Sequence, residues 1–193
     1  MFEILNPTTA KIASLTPRVE THGDEKVPAV SMTLKITGPN TILDLLRPGL
    51  LDAQYMAVPD QEQLPGVEVS KPLLRTAAIQ RFSVKMPQLS GYHLVVEHGI
   101  DESTAIDLHD VKVDKFVVDP FEGGSCEVSF RVGTSDVDET YLGRLGMKLG
   151  QEVQITLRAP EPVPEPIDGT ADNFERETGA DADATDLFAA EHG

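Results

Sequence analysis

Apolar and polar residues alternate with a period of two along much of the chain, the mark of half-buried strands. The clearest instance spans residues 110–132. In its second arm Cys126, Val128, Phe130 and Val132 share one face, and Ser125, Glu127, Ser129 and Arg131 the other. In its first arm Val111, Val113 and Val117 fall on one side, Phe116 and Val118 on the other. Between the arms, Asp119-Pro120-Phe121-Glu122-Gly123-Gly124 reads as a hairpin turn: Pro120 presets φ, and both glycines accept positive φ.

The same alternation predicts strands over 30–36, ended by Gly38-Pro39, and over 153–157. It also predicts one over 74–86, where Arg75, Arg81, Ser83 and Lys85 share a parity opposite to Phe82, Val84 and Met86. After Gly91, Tyr92, Leu94 and Val96 alternate with His93, Val95 and Glu97. Residues 1–10 suggest a short strand and turn, and 11–20 an extended segment broken at Thr16-Pro17. Residues 21–24 suggest a turn, and 50–69, with Pro59, Pro65 and Gly66, a surface loop.

Two stretches have helical spacing. Asn40 is placed to cap a short helix through Leu46. Over 136–149, Tyr141, Leu142, Leu145 and Leu149 form an apolar stripe, and Asp136, Asp138 and Glu139 suit the positive end of the helix dipole. Gly143 and Gly146 suggest close packing on the sheet, and Gly150 ends the helix. The expected body, 1–159, is mainly β: an antiparallel β-sandwich or partly open barrel with two short helices.

Composition changes after Ala159. The run PEPVPEP is a stiff spacer, and residues 161–193 carry ten acids against one base, over half of the chain's net charge of −16. Residues 160–193 therefore read as a disordered Pro-rich spacer and acidic tail. Cys126 is the only cysteine, which excludes an intramolecular disulfide and a cysteine-cluster metal site. It reads as a small core residue. There is no secretion-signal pattern at the start, and no apolar run near the roughly 20 residues needed to span a bilayer. A cytoplasmic setting is expected.

GxxxxGK[ST], GxSxG and HExxH are all absent, so no enzyme activity and no cofactor are expected. His93, His98 and His109, with Glu97 and Asp107, contain metal-ligand types. His93 and His98 have opposite parity, however, so ordinary surface histidines and no metal are expected. Basic residues offer a different chemistry. Arg75, Arg81 and Lys85 share a wet face with no acid between them, and the hairpin adds Lys112, Lys115 and Arg131. Such bases can track a phosphate backbone while exposed aromatics, here Tyr92 and Phe121, stack on bases. The alternative is that these are scattered solubilising charges.

A β-rich body, a Pro-rich spacer and an acidic end holding the apolar pair of Asp186-Leu187-Phe188 resemble the layout of bacterial and phage single-stranded DNA-binding and recombination accessory proteins. The resemblance implies an OB-fold body that holds the strand and an acidic tip that recruits protein partners. Those tips end in a terminal aromatic, whereas Phe188 is followed by Ala189-Ala190-Glu191-His192-Gly193. The expected function is thus a non-enzymatic, phage-encoded single-stranded nucleic-acid-binding or recombination accessory protein in the host cytoplasm. Arg75, Arg81, Lys85, Lys112, Lys115 and Arg131 would bind DNA, and Asp186, Leu187 and Phe188 a protein partner. Two alternatives are an acidic DNA-mimic inhibitor of a host nuclease or defence protein, and a structural phage β-sandwich protein that forms homo-oligomers.

Overall fold

Alternating residues become strands when each finds an edge to pair with, and among the described residues seven stretches do so. In the computed structural model, which describes residues 2–56, 72–76, 78–97 and 105–161, the strands are β1 (Ile4–His22), β2 (Glu25–Pro39), β3 (Phe82–Ser83), β4 (Leu89–Glu97), β5 (Ile106–Phe121), β6 (Ser125–Thr134) and β7 (Glu152–Arg158). Three short helices join them: α1 (Ile42–Leu46), α2 (Leu50–Gln54) and α3 (Glu139–Met147). The order β1-β2-β6-β5-β4-β7, with β7 back on β1, closes a six-stranded antiparallel barrel, and β3 adds to β5 from outside. Closure removes the exposed edges that an open sheet would leave.

Phe2, Ile12, Leu34, Phe116 and Phe130 fill the interior, each 1% exposed or less. Cys126 is free and fully buried among them, as expected, and burial pushes its thiol pKa up to about 11. Strands β2, β4 and β7 put Leu34, Leu94 and Ile155 inward by simple alternation.

Strand β5 departs from the expected parity. Asp114 pairs with Arg131 and Val117 with Ser129, so two residues of β5, Lys115 and Phe116, lie opposite Phe130 alone. Lys115 takes a φ of +54° at this bulge. The extra residue turns Phe116 and Val118 to the same side as Val111 and Val113, and leaves Val117 facing out. The hairpin turn is also tighter than expected. Asp119, Pro120 and Phe121 stay in the strand, Pro120 pairing with Cys126, and only Glu122, Gly123 and Gly124 turn. Gly123 and Gly124 do take positive φ, +86° and +83°.

Other expectations are corrected too. Strand β1 runs 19 residues without a break, and Pro17 pairs with Val30 inside it. The 74–86 segment is a strand only at Phe82–Ser83, because β4 occupies the same edge of β5 from Ile106 to Val113. The cap of α1 is Thr41, not Asn40, and it makes no side-chain cap bond. Part of the expected 50–69 loop is helix α2. On α3, Asp138 is the N-cap, accepting from the Tyr141 N–H at 2.6 Å. A Cβ added at Gly143 or Gly146 meets nothing within 4 Å, so neither glycine serves close packing.

Tyr55 follows α2 and locks the hairpin end. Its hydroxyl lies 3.0 Å from the Phe121 carbonyl and 2.7 Å from that of Ser125. Burial, and secondarily the Cys126 side chain, push its pKa up to about 12. The unfolded phenol ionises near pH 10. The folded protein therefore holds a proton that the unfolded chain releases, so this contribution is complete below about pH 10 and is lost as pH rises through about 12. Urea melts between pH 8 and pH 11 should show a loss of stability that Tyr55→Phe makes less steep. An unchanged slope in the variant would remove Tyr55 as its source.

Candidate functional site

Lys112 and Lys115 lie on β5, Arg131 on β6, and Arg81 and Lys85 flank β3, and register decides what each can do. Arg131 on β6 sits across from Asp114 on β5, its Nε donating to Oδ1 at 2.7 Å and its Nη2 to Oδ2. That two-point pair raises the guanidinium pKa further and commits much of its donor capacity. Arg81 is exposed, with Asp119 at 3.7 Å. Arg75 is exposed but held differently. Its Nε donates to the carbonyls of Asp52 at 2.6 Å and Tyr55 at 3.1 Å, so it ties the 72–76 segment to the end of α2. The strand expected at Arg75 does not form, so no sheet face presents it.

Lys85, Lys112 and Lys115 have no acidic partner among the described residues. The Val84 N–H donates to the Phe116 carbonyl at 2.9 Å, which brings the next residues, Lys85 and Lys115, to the same end of the pairing. Both are exposed. Lys112 and Arg131 line a polar hollow of about 190 Å³ with Arg18, Ser31 and Gln88, and with Glu20 and Asp114 as its acids. Sequence reading missed Arg18, because the segment holding it was read as broken rather than as one long strand.

Base stacking has few candidates. Tyr92, expected to be exposed, is 2% exposed, and its hydroxyl lacks a partner among the described residues. Phe116 and Phe130 are interior. Phe121 is 44% exposed and borders a hollow with Leu74, Gln80 and Pro120. A strand laid on this face would thus be held mainly through its phosphates.

A second cluster lies on the β4–β5 face. Tyr92 pairs with Val111 and Leu94 with Leu108, so His109 and Asp110 of β5 lie opposite His93 alone. Asp110 takes a φ of +46° at this bulge. Here His93 and His109 stack, with ring centroids 4.6 Å apart and planes at 19°. The His93 Nε2 is hydrogen-bonded to Asp107 Oδ1, and the His109 Nε2 lies 3.8 Å from the same oxygen. Asp136 Oδ2 accepts from the His109 backbone N–H at 2.8 Å and lies 3.3 Å from its Nδ1. Among the described residues, His93, Asp107 and His109 bring one ligand atom each within 4.8 Å of one another. Sequence reading named these residue types but expected no metal, because it weighed His93 against His98 and had no pairing to set His93 across from His109. Asp136 was read only as a helix-dipole acid.

His98, Asp186, Leu187 and Phe188 lie outside the described residues, as does all of 162–193. No described helix is long and apolar enough to cross a membrane. Comparison with protein families, characterised proteins and solved structures finds no match to this chain.

Proposed function

We propose that the protein is a non-enzymatic single-stranded nucleic-acid-binding or recombination accessory protein, phage-encoded as the layout suggests, whose strand lies along the outer faces of β3, β5 and β6. One observation carries the reading: among the described residues Lys85, Lys112 and Lys115 have no acidic partner, in a chain whose net charge is −16. Arg81, Arg131 and Arg18 extend the strip, each already neighboured by an acid. The closed barrel is compatible with OB-like binding, though it has six strands where that fold has five. In this reading Asp186, Leu187 and Phe188 recruit a protein partner and take no part in holding DNA.

Binding of this kind depends on salt, because each neutralised phosphate releases a counterion. With three to five phosphates engaged, the log–log slope of affinity against salt for oligo-dT should be about −2 to −4. Lys85→Glu/Lys115→Glu should weaken binding by about tenfold or more at low salt, whereas Arg75→Ala should leave it nearly unchanged. The check is a fluorescence titration of labelled oligo-dT with the full chain and with a chain ending at Pro160. If neither binds at low salt, the DNA reading is lost, and the acidic-inhibitor and structural alternatives replace it.

A further inference from the structure

We infer that His93, Asp107 and His109 form a binding site for a transition-metal dication of the zinc class, with Asp136 as the carboxylate that positions His109. The donor set is two imidazole nitrogens and one carboxylate oxygen, which suits zinc, cobalt, nickel and copper over magnesium or calcium. Three protein donors leave a fourth position for water or a ligand.

The geometry favours this over a chance surface group in three ways. First, both rings turn the same nitrogen, Nε2, towards one oxygen, Asp107 Oδ1. A surface histidine that needs only a hydrogen bond has no use for a second ring at that oxygen. Second, the remaining nitrogen of His109 faces a separate carboxylate, Asp136. A ligating histidine typically donates its other N–H to such a group, which fixes its tautomer and orientation. Asp136 is itself held: its N–H donates to Thr134 Oγ1 at 2.9 Å, and that hydroxyl donates to the His109 carbonyl at 3.0 Å. Thr134 is 3% exposed, so this support is rooted in the barrel wall. Third, the strand register brings the three donors together. The pairs Val96–Ile106, Val95–Asp107 and Leu94–Leu108 run on to set His109 across from His93, two residues from Asp107 on the same strand, and the extra residue Asp110 is taken up beyond them at a φ of +46°.

Ligand atoms around a tetrahedral zinc lie about 3.3 Å apart, given metal–ligand distances near 2.0–2.1 Å. The donors here lie within 4.8 Å, so His109 must draw in while the hydrogen-bonded His93 and Asp107 part to admit the ion. The near-parallel rings must also open so that both Nε2 atoms converge on one ion. The side chain of His109 is 66% exposed and that of His93 32%, which leaves His109 freer to make that rotation.

The test uses the full chain and two probes, Zn²⁺ by calorimetry and Co²⁺ by its visible spectrum. One equivalent of each should bind, and bound Co²⁺ should show the intense visible bands of a four-coordinate ion. His93→Ala and His109→Ala should each lower Zn²⁺ affinity at least as much as Asp136→Asn, for which a drop of about 10- to 100-fold is expected. His22→Ala and His192→Ala should leave affinity unchanged, which separates this site from binding by those two histidines. Long-range ¹H–¹⁵N spectra of the unmutated protein supply a readout independent of variant folding: Zn²⁺ should shift Nε2 of two histidines. The inference is overturned by no saturable binding, by binding that survives loss of His93 or His109, or by spectra in which fewer than two imidazoles respond.

Discussion

Phe130→Ala should lower the unfolding free energy by about 3–5 kcal/mol. The residue has no exposure and sits where three parts of the chain meet. Its ring centroid lies 5.5 Å from that of Phe2, edge to face, and 5.8 Å from that of Phe116. Phe2 and Phe116 complete the trio at 5.2 Å and 78°. Phe2 precedes β1, Phe116 comes from the bulge of β5, and Phe130 from the middle of β6. Removing the central ring therefore loses its transfer energy and leaves a cavity that three rigid strands cannot close together. Urea melts with an unchanged m-value would assign the whole loss to the folded state. A loss below about 1 kcal/mol would mean that Phe130 does not face the interior.

The trio also marks the limit of what the sequence discloses. Phe130 was legible because β6 alternates without interruption, and Cys126, Val128 and Val132 agree with it. Phe116 was not, because Lys115 adopts a left-handed conformation that no local residue announces. A glycine there would have signalled a bulge, whereas a lysine does not. The 74–86 segment failed in the opposite sense. Its alternation is genuine, but pairing needs a free edge, and β4 takes most of the one available. The site follows the same logic. Residue types picked out Lys85, Lys112 and Lys115, yet only register could show that Arg131 is paired with Asp114 and that Arg75 is spent on carbonyls. The histidine cluster depends on which β4 residue each β5 residue meets, since residue types named His93, Asp107 and His109 but only the register sets His93 across from His109.

A chain ending at Pro160 should bind oligo-dT about tenfold more tightly than the full chain at low salt. Residues 161–193 carry ten acids and one base, tethered to the barrel that presents Lys85, Lys112 and Lys115. A tethered polyanion competes with DNA at an effective concentration in the millimolar range for a short linker, so even weak contacts with these lysines oppose the strand. The competition is electrostatic between solvent-exposed groups, so it must fade as salt rises and the screening length falls from about 30 Å at 0.01 M to about 10 Å at 0.1 M. The two chains should therefore converge in affinity at moderate salt while both weaken. Leu187→Ala/Phe188→Ala retains every acid of the tail. It should leave oligo-dT affinity within about twofold of the full chain, whatever it does to a protein partner. Titrations of all three chains at two salt concentrations separate the effects. Equal affinities for the full and shortened chains at low salt would show that the acidic segment does not compete for the basic face.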